Sequence, residues 1–152
     1  YIMGNKRVGW ARIKSLINEN ANQLQPRRTQ YQTISSDTTL TIADSGGVIG
    51  CNGASILVIT LPNPDDQAGA SFRFHLTDNT ANVSITVDAG TTDFVGSVKG
   101  LSSGDTAVSG DTFVRFVAST AVAGDYIELI SNGANWFVSG HAIANGGIIF
   151  GT

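Results

Sequence analysis

The sequence predicts an all-β protein, an antiparallel β-sandwich or barrel of jelly-roll-like character, preceded by a short N-terminal amphipathic helix or arm. Charged residues make up only 14% of the 152 residues, and 18 residues are glycine. This composition is typical of turn-rich β proteins. Short runs in which apolar and polar residues alternate recur after residue 28, separated by turn-forming pairs such as Asn-Gly and Asp-Asn. Because no helical stretch separates these runs, a parallel α/β fold is disfavoured.

The N-terminal segment carries a helical pattern. From Val8 to Leu24 apolar residues recur at spacings of three and four, which predicts an amphipathic helix. Pro26 disfavours helical geometry in Gln25, so the helix is expected to end there. An isolated helix of this length is only marginally stable in water. Its apolar side is therefore expected to pack on the body of the protein, on a symmetry copy or on another protein, and the last two are favoured.

The β body is predicted to follow directly. Strands are predicted at Thr39–Ile42, Ser55–Leu61, Ser71–Leu76, Asn82–Val87, Thr112–Ala118, Tyr126–Ile130, Trp136–Ser139 and Gly147–Phe150. Gly96–Gly110 is rich in glycine and serine and is predicted to be a long surface loop. No internal repeat is evident, which disfavours a solenoid of fixed period. The expected division is a basic arm and helix at 1–28 and a single β domain at 29–152.

Charge is distributed unevenly along the chain. The first 28 residues have a net charge of +5 and the remainder −8, because the basic residues of the arm, Lys6, Arg7, Arg12, Lys14, Arg27 and Arg28, stand beside only Glu19. This asymmetry indicates different partners for the arm and the body. An acidic protein surface is favoured over nucleic acid, since only Trp10 accompanies these charges and the acidic body would oppose approach to DNA. Without an apolar run or signal peptide, we expect a soluble protein made in the cytoplasm, with no membrane partner.

Metal and nucleophile chemistry have little support in the sequence. His75 and His141 are the only histidines, and neither has a nearby histidine or cysteine in a zinc-ligand pattern. Alternation places His75 beside Arg73 on the exposed side of its strand. The single Cys51 can form no intrachain disulfide. Phosphate-binding and dinucleotide glycine motifs and the Gly-x-Ser-x-Gly elbow are all lacking, so we expect no cofactor, no metal site and no enzyme.

The carboxylates suggest turn caps rather than catalytic groups. Asp65-Asp66 lies in a Pro-Asn-Pro turn and Glu128 in a predicted strand, which gives no clear pair for glycoside cleavage. Asp105 and Asp111 flank a glycine-rich segment without the regular spacing of a calcium loop. A small depolymerase or hydrolase is kept only as a third alternative.

Three segments resemble a known group of proteins. The first is the opening stretch 5–17, which combines a basic Gly-aromatic segment with the start of a helix. The second is the stretch 39–47, which is followed by Ile59-Thr60-Leu61-Pro62. The third is the stretch 130–140, which contains an Asn-Gly-x-x-Trp hairpin. In this order they resemble the small virion structural proteins of marine and cyanobacterial tailed phages. The resemblance implies a capsid decoration (cement) protein or a head or tail fibre module. It also implies a virion location, usually as a homotrimer, and it carries over no catalytic residues.

The function expected from the residues and the resemblance is binding to the major capsid protein lattice or another virion protein. The partner-binding residues are predicted to be Lys6, Arg7, Trp10, Arg12, Ile13, Lys14, Leu16, Ile17, Leu24, Arg27 and Arg28. The alternative is a receptor- or glycan-binding fibre module that the arm attaches to the particle. Trp136 and Phe137 face opposite sides of their strand, so one is expected in the core and the other at an interface or under a loop.

Overall fold

Apolar residues at every second position bring most of the chain into two sheets, with one helix at the N-terminus. The computed structural model describes residues 9–24, 30–65, 67–87, 94–100 and 106–151. In chain order its elements are α1 (Trp10–Leu24), β1 (Tyr31–Ile34), β2 (Thr38–Thr39), a 3-10 helix (Ile42–Asp44), β3 (Val48–Asn52), β4 (Leu57–Leu61), β5 (Ser71–Asp78), β6 (Val83–Val87), β7 (Phe94–Gly100), β8 (Thr106–Asp111), β9 (Phe113–Phe116), β10 (Tyr126–Ser131), β11 (Trp136–Ala142) and β12 (Ile148–Gly151).

The strands form a seven-stranded sheet, in the order β1-β3-β5-β10-β11-β7-β8, and a five-stranded sheet, in the order β12-β9-β6-β4-β2. The buried side chains of both sheets belong to one hydrophobic core. This arrangement confirms the predicted β-rich class with an N-terminal helix and is consistent with a β-sandwich. The expected ends of the helix, at Val8 and before Pro26, lie outside the described residues.

The first six strands alternate between the two sheets. β1, β3 and β5 are parallel neighbours in one sheet, and β2, β4 and β6 are parallel neighbours in the other. Parallel strands need a crossover connection, and here a strand of the facing sheet supplies it in place of a helix. The prediction of antiparallel sheets is therefore wrong for this part of the chain, because a strand of the facing sheet can connect two parallel neighbours.

The winding of these strands has no fixed period. Tyr31 is paired with Val48, and Val48 is paired with Arg73. The chain segment between Val48 and Arg73 is therefore longer than the segment between Tyr31 and Val48. The later strands complete both sheets, mostly by antiparallel pairing: β10 lies between β5 and β11, and β9 lies between β6 and β12. β7 is the exception, since it runs parallel to β11.

Large aromatic side chains fill the core. Trp136 is fully buried, and its ring centroid lies 5.5 Å from that of Phe72. Its indole Nε1 donates a hydrogen bond of 3.2 Å to the carbonyl of Pro62, which satisfies the polar edge of a buried ring. Phe137, the next residue, is 47% exposed. The prediction that one residue of this pair lies in the core is confirmed, and the interface expected at the other stays a prediction.

The predicted loop at Gly96–Gly110 is wrong, because the structure has β7 and β8 there. Phe94 and Val98 are buried at alternate positions of β7. Gly96 has a φ of +145°, and a Cβ at this position would collide with the carbonyl oxygen of Val138 on the neighbouring strand. Glycine is therefore required for close strand packing here, whereas in the sequence it suggested a loop.

The strand predicted at Thr39–Ile42 is also shorter than expected. Only Thr38 and Thr39 pair with β4, and the chain then turns into the 3-10 helix. The carboxylate of Asp44 accepts hydrogen bonds of 2.8 Å from both the backbone N–H and the hydroxyl of Thr41. This local side-chain bonding competes with strand pairing, and the alternating pattern of the sequence did not reveal it.

Candidate functional site

The first candidate surface is the exposed side of helix α1. With 3.6 residues per turn, four apolar side chains fall on one side of the helix. We call them the apolar stripe: Trp10, Ile13, Leu16 and Ile17. All four are exposed, Trp10 by 74% and Ile17 by 56%. The helix therefore presents its apolar stripe to solvent in the single chain, a placement that costs free energy until a partner covers it.

Two cationic side chains border the apolar stripe. By helical geometry Arg12 and Lys14 lie on its two opposite edges, and both are exposed. Of the other predicted partner-binding residues, Leu24 is in the helix, but its side chain is outside the description. Lys6, Arg7, Arg27 and Arg28 lie outside the described residues.

The second candidate surface is the outer side of the seven-stranded sheet, where side chains from four strands lie in register. His75 is paired with Tyr126, Tyr126 with His141, and His141 with Lys99. Paired positions point to the same side of a sheet, so these side chains form one row across β5, β10, β11 and β7. Arg73 lies two residues before His75 on the same side. We call Arg73, His75, Lys99 and His141, with Tyr126 between them, the basic face.

The rings of the basic face lie against one another. The ring centroid of Tyr126 is 5.8 Å from that of His75 and 6.4 Å from that of His141, and the ring planes are inclined by 23° and 19°. The guanidinium of Arg73 lies 5.0 Å from the Tyr126 centroid, within the range of a cation–π interaction. Strand pairing and ring contacts together hold these polar groups in a fixed arrangement.

One carboxylate partly balances the positive charge. Arg73 Nε lies 3.1 Å from Glu128 Oε1, and both side chains are well exposed, so the pair contributes little to stability. Partial burial, followed by the charge of Arg73, lowers the pKa of His75 below its ordinary value of 6.5, while Glu128 acts in the opposite direction. His75 is therefore neutral at pH 7, with one nitrogen to donate and one to accept a hydrogen bond.

A shallow hollow adjoins this pair of charges. Its volume is about 290 Å³, at the lower end of the range for small-molecule pockets. It is lined by Gly46, Gly47, Val48, Ser71, Phe72, Arg73, Glu128, Leu129 and Ile130. The hollow and the basic face form one open surface, which suits an extended ligand better than an enclosed one.

Sequence reasoning missed the basic face. Alternation correctly put Arg73 and His75 on one exposed side of their strand, but His75 and His141 were considered separately. Lys99 was assigned to a loop. Only the pairing of β5, β10, β11 and β7 brings these residues together, and register between strands distant in sequence is not readable from a single chain.

The described residues offer little for nucleophile or metal chemistry. Burial raises the pKa of the Cys51 thiol to about 12, so the reactive thiolate does not form at neutral pH. The described parts of the chain contain no group of three or more histidine, cysteine or acidic side chains that could hold a metal ion. None of the helical residues described here forms a segment long and apolar enough to cross a membrane.

Comparison with protein-family models, with curated proteins and with solved structures finds no significant match. The apolar stripe and the basic face are therefore the two features from which a function can be inferred.

Proposed function

We propose that this chain is a structural protein of a bacteriophage virion, a capsid decoration protein whose N-terminal segment binds the major capsid protein lattice and stabilises the shell. The observation that carries the proposal is the exposed apolar stripe of α1 beside a β body with its own buried core. Such a helix is suited to dock in an apolar groove of another protein. The proposal assigns no reaction to the chain.

The edges of the stripe indicate the chemistry of the groove. Arg12 and Lys14 would lie against its two rims, so acidic rims on the capsid protein would match them. Complementary charge of this kind favours encounter and orientation more than affinity. The preceding basic residues Lys6 and Arg7 would extend the same interaction along an acidic shell surface.

The energetics favour attachment by several copies at once. Burial of the four stripe side chains contributes together about 6–12 kcal/mol. Association of one chain costs a comparable amount, about 4–15 kcal/mol, in lost freedom of motion. A single helix would therefore bind weakly. A homotrimer, which presents three helices, would bind much more tightly through multivalency, and we include this oligomeric state in the proposal.

The test is attachment of the full chain to shells of the phage that encodes it. Replacing Trp10 and Ile17 together by alanine should weaken binding by at least about 100-fold, because about 3 kcal/mol of apolar burial is lost from each helix. The matched control replaces Ser15 and Asn18, which lie on the same helix outside the stripe, and should bind like the wild type. Equal occupancy of the lattice by both variants would overturn the proposal.

A second candidate is a head or tail fibre module that recognises a receptor or glycan on a host surface. The basic face favours it, because aligned polar and aromatic side chains on a rigid sheet are suited to ligand binding. Binding of the full chain to members of a glycan array, undiminished by the Trp10 and Ile17 replacements, would support it. A chain that occupies shells and binds no glycan would exclude it.

A further inference from the structure

The charges of the β body are unevenly placed. After residue 28 the sequence has three Lys or Arg residues, two histidines and eleven acidic residues. The strand register places four of those five basic residues on one surface, the basic face. Only Arg115 lies elsewhere, in the five-stranded sheet. A protein body of net negative charge thus has two of its three Lys and Arg residues, Arg73 and Lys99, together with both histidines on one side of one sheet.

Opposing charge is nearly lacking on this surface. Among the described residues of the seven-stranded sheet, Glu128 is the only acidic side chain at an outward-facing position, and it already contacts Arg73. Lys99 is exposed at the far end of the row. Arg73 and Lys99 therefore outnumber the acidic side chains at the described outward-facing positions of this sheet.

Arg115 provides a contrast within the same body. Its Nε donates a hydrogen bond of 2.7 Å to Ser84 Oγ, and its guanidinium lies 4.4 Å from the ring centroid of Phe113. These contacts give Arg115 a structural role in its own sheet. Arg73 makes comparable contacts with Glu128 and Tyr126, whereas Lys99 is exposed on the outward-facing row.

The dimensions of the row suit a polymer. From His75 to Lys99 it crosses three strand spacings, about 14 Å in all. The imidazole and phenol groups can exchange hydrogen bonds with hydroxyl groups, while Lys99 and Arg73 can pair with carboxylates. A chain of sugars that carry carboxylates offers both kinds of partner at repeated intervals.

We infer that the basic face binds an acidic, carboxylate-bearing polysaccharide along the row from Arg73 and His75 to Lys99. This inference rests on the recognition function, the second candidate above, and not on attachment through helix α1. The polysaccharide is preferred to nucleic acid because it presents more hydroxyl groups to the imidazole and phenol groups of the row.

The experiment measures binding of the full chain to alginate, a polyuronate, with neutral dextran of similar length as the reference polymer. Alginate should bind and dextran should not, and the affinity should fall as NaCl rises from about 0.05 M to about 0.5 M. Lys99→Gln should weaken alginate binding about 3- to 5-fold, as expected for one exposed charge pair. Tyr126→Leu should weaken it through loss of the central ring, with thermal unfolding monitored to confirm the fold.

Lys14→Gln is the matched control, because it removes the same charge from the helix. It should leave alginate binding unchanged and affect only attachment to shells. Lack of alginate binding, equal binding of dextran, tighter binding of a single-stranded DNA oligonucleotide, or equal effects of Lys99→Gln and Lys14→Gln would each overturn the inference. Since shell attachment is measured separately, failure of the polysaccharide site is distinguishable from failure of the capsid-binding proposal.

Discussion

The two tryptophans of the chain occupy opposite environments. Trp136 is fully buried in the core of the β body, whereas Trp10 is 74% exposed on helix α1. The other residues of the apolar stripe are exposed as well, whereas most of the large apolar side chains described in the body, Phe72 and Phe116 among them, are buried. The body therefore has the apolar burial that stabilises a fold, while the helix exposes its apolar stripe to solvent.

The largest expected effect tests this contrast directly. Trp136→Ala should lower the free energy of unfolding by about 3–5 kcal/mol, because a large cavity opens beside Phe72 and the bond to Pro62 is lost. Trp10→Ala should change it by less than about 0.5 kcal/mol, as for most exposed positions. Urea unfolding followed by far-UV circular dichroism measures both. Comparable losses for the two variants would show that the helix is part of the body's fold.

The second-largest expected effect on stability concerns β7, which the sequence analysis predicted to be a loop. Gly96→Ala should destabilise the protein by about 3 kcal/mol, since its φ of +145° is strained for alanine and the new methyl group meets the carbonyl of Val138. Gly124→Ala is the control, because its φ is also positive, +102°, but its surroundings are open. It should cost about 1 kcal/mol. Equal unfolding midpoints in urea would contradict the close packing of β7 on β11.

The sequence predicted most of the strands correctly because alternation reports which side of a strand is buried. Leu57–Leu61 and Tyr126–Ser131 are clear examples, with buried residues at every second position. Pairing could not be predicted in the same way. The parallel neighbours β3 and β5 are separated along the chain by a strand of the other sheet, and the contacts that select this pairing join residues distant in sequence.

The candidate surfaces were predictable to different degrees. The apolar stripe is local, so the helical period identified Ile13, Leu16 and Ile17, whereas Trp10 was predicted as a partner-binding residue because it accompanies the basic charges of the arm. The basic face is non-local, because each of its strands contributes one or two residues. Lys99 was missed for a second reason, since Gly96 and Gly100 made its strand look like a loop.

A buried carboxylate should have a larger effect on stability than an exposed one with similar bonding. Asp125 is 1% exposed, and its two oxygens accept hydrogen bonds of 2.9 Å from the backbone N–H groups of Val122 and Ile143. Asp125→Ala leaves both donors without this acceptor and should cost about 2 kcal/mol. Asp44→Ala removes the more exposed bonds to Thr41 and should cost about 1 kcal/mol. The reverse order in urea unfolding would contradict this assignment.

The smallest effect is the dependence of stability on pH through His75. Its pKa is lowered in the folded protein, so the unfolded chain binds the proton more readily. The free energy of unfolding should therefore fall as the pH drops below the ordinary value of 6.5 towards the folded pKa. His75→Gln should remove this contribution, which makes the variant less sensitive to acid than the wild type over that range.

Unfolding midpoints in urea at a series of pH values from about 7.5 to about 5 measure the difference, with the pH chosen to span the ordinary pKa of histidine. His75→Gln serves as the reference for all other titrating groups, since it differs from the wild type only at residue 75.

Arg73 and Glu128 face His75 from its own strand and from β10, and they act on its pKa in opposite directions. Glu128→Gln should therefore increase the acid sensitivity, because only the unfavourable charge of Arg73 remains beside the imidazole. Identical pH profiles for the wild type and His75→Gln would show that the imidazole titrates alike in the folded and unfolded states.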